Sequence, residues 1–181
     1  MVLSPNLRRL FVHAYQSYLF NKILSRRLAA GMPLNRAQVG DVVCFARDGL
    51  PDMDRQQKAN PENLSAINRL IERRRSFLTL PLIGFETELG GGREEEIERA
   101  LLAEEAVSEE DFRVAGCPDL GSRGTRRAAL CPVKPEITFS GRGANLQFSL
   151  PKGSYATVLL REYIKGNEYS HDSVERVSAE E

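Results

Sequence analysis

From Leu7 onward, apolar positions recur at helical spacing through Leu10, Phe11, Ala14, Tyr15, Tyr18, Leu19 and Ile23, with Ser4-Pro5 ahead and Gly31 and Pro33 behind. Serine accepts from the free amides of a first turn, proline fits the first helical position, and glycine turns left-handed where a helix ends. The pattern predicts one long helix. Its apolar arc is wider than a single stripe, which predicts burial on more than one side. Arg26 and Arg27 fall near its carbonyl end, where cations suit the helix dipole.

Val39 to Phe45 is β-branched and apolar, with Gly40-Asp41 near its start and Asp48-Gly49-Leu50-Pro51 behind it, which predicts a short strand and a turn, then a polar linker. Asn60-Pro61 opens a second helix with Leu64, Ile67, Leu70 and Ile71 on one face, ending in Arg73-Arg74-Arg75. Phe77 to Phe85 is apolar again, but Pro81 restricts it to an edge strand or an extended segment. Gly90-Gly91-Gly92 leads into a helix over 93–105. A phosphate cradle is excluded there, because Glu94, Glu95 and Glu96 already complement the dipole and would repel an anion. Ser108-Glu109-Glu110-Asp111 reads as another N-cap.

Near the end, Ile137-Thr138-Phe139 and the alternating stretch Asn145 to Leu150 flank Ser140-Gly141-Arg142-Gly143, the pattern of a hairpin. LPKGSYATVLLREYIKG then predicts a strand end, a tight turn and a helix capped by Ser154. Tyr155, Val158, Leu159 and Glu162 share one face of that helix, with Thr157, Arg161 and Tyr163 aimed elsewhere. Lys152 and the first-turn amides would face an anion together, or Lys152 is a surface lysine in a turn.

Composition narrows the classes. With 181 residues, 41% of them hydrophobic and 28% charged, the chain can bury the core of one domain or two small ones. Lys plus Arg and Asp plus Glu balance at 25 each, so any case for nucleic acid rests on where the charges sit. Arginines cluster at Arg8-Arg9, Arg26-Arg27, Arg73-Arg74-Arg75 and Arg123 to Arg127, while acids gather in 94–110 and after Asp172. Gly121 to Arg127 is either a solvated turn or a loop whose Arg123, Arg126 and Arg127 fork onto RNA phosphates. Cys44, Cys117 and Cys131 with His13 and His171 have no zinc-ligand spacing, and unpaired thiols suit a reducing cytoplasm. No apolar run reaches the length of a membrane span or a secretory signal.

FVHAYQSYLFNKILSRRL and LPKGSYATVLLREYIK, with TRRAALCP between them, resemble the tRNA pseudouridine synthase D family, commonly called TruD, over nearly the whole chain. The resemblance implies isomerisation of uridine to pseudouridine in tRNA, at position 13 in well-studied members, without metal or organic cofactor. It implies an α/β (α+β) fold with a mixed sheet and packed helices. Residues 1–132 would hold the family's inserted domain, 133–166 the last strand and helix of the catalytic sheet, and 167–181 a flexible tail.

In that family the nucleophile is an aspartate in a glycine-threonine-lysine-aspartate stretch, and a base-stacking phenylalanine follows asparagine-tyrosine; neither pattern occurs in this sequence. Asp52 in LPDMD and Asp119 in CPDLGSRG have other neighbours and read as turn residues. The front of the enzyme is therefore expected to lie outside this chain and to be its partner, together with tRNA. GSYATVLLREY resembles the last motif shared among pseudouridine synthases, which makes Leu159 and Arg161 candidates for the active-site wall, Arg161 supporting the nucleophile or else standing as an exposed helix residue. Lys152, Ser154, Arg123, Arg126 and Arg127 are the expected RNA contacts. The alternative is a non-catalytic module that holds RNA without changing it.

Overall fold

Ser4 Oγ accepts from Leu7 N–H at 3.4 Å and opens helix α1 (Pro5–Ala29) in the computed structural model, which describes residues 3–141, 143–150 and 153–165. The helix closes at Gly31, whose φ of 70° is the left-handed turn that glycine supplies. Its burial is narrower than the apolar pattern predicts: only Gln16, Leu19, Ile23 and Arg27 are buried, a single face, while Leu7, Leu10, Phe11 and Tyr18 stay exposed. Helix α3 (Gly92–Glu104) and strand β3 (Ser76–Leu82) pack on α1, and the short turn Pro118–Leu120 touches it as well, with Arg9 Nε donating to Asp119 O at 3.0 Å.

The chain divides into two compact units, Met1–Pro132 and Val133–Glu181. In the first, a four-stranded antiparallel sheet has the order β2-β1-β3-β4, with β1 spanning Val42–Arg47, β2 Leu50–Lys58 and β4 Thr125–Ala128. Its edge strands β2 and β4 approach each other, so the sheet curls. The expected polar linker is in fact β2. Asp48 (φ 53°) and Gly49 (φ 81°) turn the chain back on β1, and polar side chains suffice for a strand whose outward face meets water. A register shift opposite Cys44/Phe45 marks a bulge of Met53, Asp54 and Arg55, and Asp52, paired with Phe45, borders it. Asp52 is no ordinary turn residue: it is buried, ion-pairs with Arg47 at 2.8 Å and accepts from Asp54 N–H at 3.1 Å.

Strand β3 is likewise central rather than an edge, despite Pro81. Strand β1 pairs only with Ser76–Thr79, and β4 only with Thr79–Leu82. Since Ala129 N–H donates to Leu78 O, alternation turns the Pro81 nitrogen away from β4, to the side where β1 has already ended. A proline costs no ladder bond there.

Helix α2 (Leu64–Glu72) starts later than the sequence suggests. Asn60 Oδ1 accepts from Glu62 and Asn63 N–H, and Asn63 Oδ1 accepts from Asn60 N–H, so a reciprocal asparagine turn precedes the helix. The core forms two clusters. One joins Leu19 and Ile23 of α1 to Leu80, Ile83, Leu89, Leu101, Leu102 and Phe112; the other joins Ala37, Val43 and Ala59 to Ile67 and Ile71 of α2. Each fully buried aliphatic side chain contributes roughly 1.5–3 kcal/mol. Ser108 and Asp111 form the expected capping box, on a short 3-10 turn at Glu109–Arg113.

In the second unit, β5 (Glu136–Ser140) and β6 (Gly143–Gln147) form an antiparallel hairpin, and helix α4 covers Ala156–Ile164. Every strand pairing among the described residues is antiparallel, within the mixed α/β architecture expected. The segment 167–181 and His171 lie outside the described residues.

Candidate nucleic-acid interface

The glycine-arginine segment before β4 is clamped rather than loose. Ser122 O accepts from Phe85 N–H at 3.0 Å and Arg123 O from Glu86 N–H at 2.9 Å, which lays the segment beside residues 85–86. Gly84 and Gly124 then meet backbone to backbone: a Cβ on Gly84 would lie 2.1 Å from Gly124 N. Gly124 itself has φ 85°, and a Cβ on it would lie 2.1 Å from Thr87 Oγ1. This junction needs glycine on both sides.

Beyond it, strand alternation separates the arginines. Arg123 is exposed and pairs with Glu86 at 3.1 Å, and Arg127 is exposed. Arg126, expected among the RNA contacts, points inward. Its Nε donates to Thr79 Oγ1 (3.0 Å), Nη2 to Thr79 O (3.1 Å) and Nη1 to Glu88 O (3.1 Å), and only 8% of the residue is exposed. A guanidinium whose donors are spent on β3 and on the 84–90 turn holds the fold and has no face for a phosphate.

Beneath β4 the buried charge continues. Arg27 donates through Nη1 and Nη2 to the two oxygens of Asp41, through Nη1 to Glu94, and through Nε and Nη2 to Pro33 O. Glu98 accepts from Gly90 N–H at 2.6 Å and lies 3.9 Å from Arg126. Burial raises the Glu94 carboxyl above its usual range against the pull of Arg27, and raises Glu98 to about 7 against Gly90 N–H and Arg126. These carboxyls are sealed from solvent, so they tie α1, the turn leading into β1, α3 and β4 together and offer nothing to a substrate. Sequence spacing had shown Glu94 only as a first-turn acid; no local signal pairs it with Arg27.

An open groove of about 360 Å³ lies beside this cluster, lined by Gln56, Gln57, Lys58, Glu86, Thr87 and Glu88 among others. Lys58 Nζ is spent on Gly90 O at 2.7 Å. No group of three His, Cys, Asp or Glu able to hold a metal exists among the described residues. His13 bonds Gln16 at 3.1 Å, and burial pushes the Cys44 thiol up to about 11, far from a reactive thiolate. None of the described helices is long and apolar enough to cross a membrane.

In the second unit, Ser154 is exposed and does not cap α4. Tyr155 holds the N-cap position with no side-chain bond, because the helix begins one residue later than a serine cap requires. Leu159 is half-buried and Arg161 exposed. Two residues apart on a helix, they project about 200° from one another, so they do not share a face. Lys152 and Arg142 lie outside the described residues.

The geometry defines a class first: an α/β chain with a small curled antiparallel sheet, exposed arginines at its margins and buried ion pairs beneath. The family described as "tRNA pseudouridine synthase D (TruD)" matches residues 1–163. A probable tRNA pseudouridine synthase D from Methanosarcina mazei is 49% identical over 174 residues, covering 92% of this chain and 40% of that protein. One from Natronomonas pharaonis is 50% identical over 163 residues, covering 90% and 37%. The crystal structure of the putative tRNA pseudouridine synthase D (TruD) from M. mazei superposes with a TM-score of 0.80 at 48% identity, over 91% of this chain and 40% of that one. The chain belongs to the tRNA pseudouridine synthase D family. It spans about 40% of the length of the relatives it matches.

Proposed function

We propose that this chain is a portion of a tRNA pseudouridine synthase, an isomerase that converts uridine 13 of tRNA to pseudouridine, and that it supplies RNA contacts and part of the active-site wall. The observation that carries the reading is the family match over residues 1–163 joined to coverage of only 40% of the relatives' length. The nucleophilic aspartate then belongs to the part of the enzyme outside this chain. Asp41 and Asp52 support that division, since both are buried and committed to arginines. A carboxylate nucleophile needs a base ring held against it, which neither position offers.

Within the chain, the exposed Arg123 and Arg127 are the RNA-facing members of the glycine-arginine segment, and Arg126 holds them in register from inside. Lys152 and Ser154 precede α4 where backbone phosphate would approach, and Leu159 or Arg161 faces the target base. No cofactor enters this chemistry, and the compartment is the cytoplasm.

Tritium release from tRNA labelled at C5 of uridine tests the reading. The chain alone should release none, and the chain joined to the rest of the family-length enzyme should release it. Release by the chain alone, above a no-protein control, would place a nucleophile here and sink the division.

A further inference from the structure

Helix α2 ends at a conformational cost. Arg74 N–H bonds Ile71 O at 2.9 Å and Arg75 N–H bonds Leu70 O at 2.8 Å, the doubly closed helix end whose penultimate residue turns left-handed. Glycine usually holds that place because a Cβ crowds the following carbonyl. Here it is Arg74, with φ 54°.

The side chains around it are unanswered. Arg26, Arg99, Arg113 and Arg123 each meet a glutamate, whereas Arg73, Arg74 and Arg75 are exposed and meet no carboxylate within ion-pair reach among the described residues. Arg69 stands one turn before Arg73 on the same face and reaches only Ser65 Oγ. Ala46 N–H bonds Arg75 O at 2.9 Å, extending the β1–β3 ladder one step beyond Phe45↔Ser76 and bringing the strand end at Arg47 beside the run. Arg55 lies over the Phe45 ring at the same end of the sheet.

We propose that Arg73, Arg74 and Arg75, with Arg69 one turn before them, form a second RNA-phosphate site on the first unit, beside the strand end where Arg47 is already held by Asp52. The site rests on the RNA-binding reading above and adds to it a surface separate from the glycine-arginine segment. In a chain of zero net charge, exposed arginines concentrated at one helix end without carboxylate partners make a local positive field that favours a polyanion. A planar guanidinium forks onto two phosphate oxygens, and successive arginines can follow a backbone that repeats its charge at every nucleotide. A left-handed Arg74 turns its side chain out of the helix's own array, which widens the fan beyond what the helical positions alone could reach.

Binding of the chain to an unmodified tRNA transcript, followed by fluorescence anisotropy across a KCl series, tests the site. R73Q/R74Q/R75Q should weaken binding by about tenfold or more at low salt and shrink the log-log salt slope by about 2. R74G should separate binding from folding: glycine relieves the left-handed strain, so its melting temperature should rise while affinity and salt slope fall. If both variants bind with the wild-type slope while R123Q/R127Q loses affinity, the run is only a solvated helix end and the site is overturned. If the wild-type chain itself fails to bind tRNA, the RNA reading falls and the site with it.

Discussion

Arg27 meets Asp41 through both terminal nitrogens, Nη1 to Oδ1 and Nη2 to Oδ2 at 2.7 Å each, with neither side chain more than 1% exposed. The parallel fork leaves Nη1 also facing Glu94, so one cation answers two carboxylates contributed by different elements. Removing a buried ion's partner strands the other charge, which costs far more than the pair contributes.

Arg27→Met should therefore destabilise the chain by about 3–5 kcal/mol in urea denaturation. Adding Asp41→Asn and Glu94→Gln should restore a large part of that loss, because the stranded charges are gone. A loss below about 1 kcal/mol for Arg27→Met would mean that water reaches the site.

Glu98 predicts a slope with pH. Its folded-state value, about 7, lies above that of an unfolded glutamate, about 4.3, so between these values the folded state holds a proton that the unfolded state has released. The stabilisation is full below the unfolded value and is lost as pH rises toward 7, on the order of 3 kcal/mol in all. Glu94 is shifted in the same direction. Unfolding midpoints from pH 4.5 to 8 should fall less steeply in Glu98→Gln than in the native chain, and the variant should be at least as stable at pH 8. Identical slopes would place the Glu98 carboxyl in contact with water.

Gly124 and Gly116 share a left-handed backbone, φ 85° and 79°, but only Gly124 has a neighbour in the way. Gly116→Ala should cost about 1 kcal/mol, the conformational strain alone. Gly124→Ala should cost at least about 3 kcal/mol, since it must also displace Thr87 Oγ1, which accepts from Gly84 N–H at 2.8 Å. Thermal melts of the two variants would separate strain from collision. Equal losses would count against the collision.

In an enzyme of full family length, Lys152→Ala should weaken tRNA binding by about 1–2 kcal/mol and appear mainly in KM. Arg161→Ala should instead slow the chemical step with binding nearly intact, if Arg161 pairs with the nucleophile. Single-turnover rates at saturating enzyme distinguish them. Since Leu159 and Arg161 face apart on α4, at most one can front the target base, and a normal rate for Arg161→Ala with a slow one for Leu159→Ala would assign that place to Leu159.

What was legible in the sequence is what short-range rules govern. Ser4-Pro5 and Gly31 bound α1, the capping box of Ser108 and Asp111 forms, and a hairpin brackets Gly141, because each depends on residues within a few positions. Family membership was legible too, through two long segments near the chain ends. Two misses are local, since the Asn60–Asn63 turn delays α2 and α4 begins one residue too late for Ser154 to cap it, but the larger ones depend on distant partners. Pro81 is harmless in a central strand only because β1 stops at the pairing with Thr79. Arg27 and Glu94 are 67 positions apart, and Arg126 reads as a surface arginine until its register opposite Pro81 turns it inward. Tertiary pairing decided these, and spacing along the chain carries no record of it.

Strand β2 lies at one end of the strand order, and of its residues only Asp52 is buried. DMDRQQK carries charges of both signs and a bulge opposite Cys44/Phe45, so the border it shows to solvent is neither flat nor apolar. A strand from another molecule would find few aligned amides and would have to desolvate Asp54 and Arg55 to use them. The same polarity that conceals β2 from a reading by hydrophobicity thus makes it a poor template for self-association, letting a small curled sheet keep an open margin in a crowded solution without seeding aggregates.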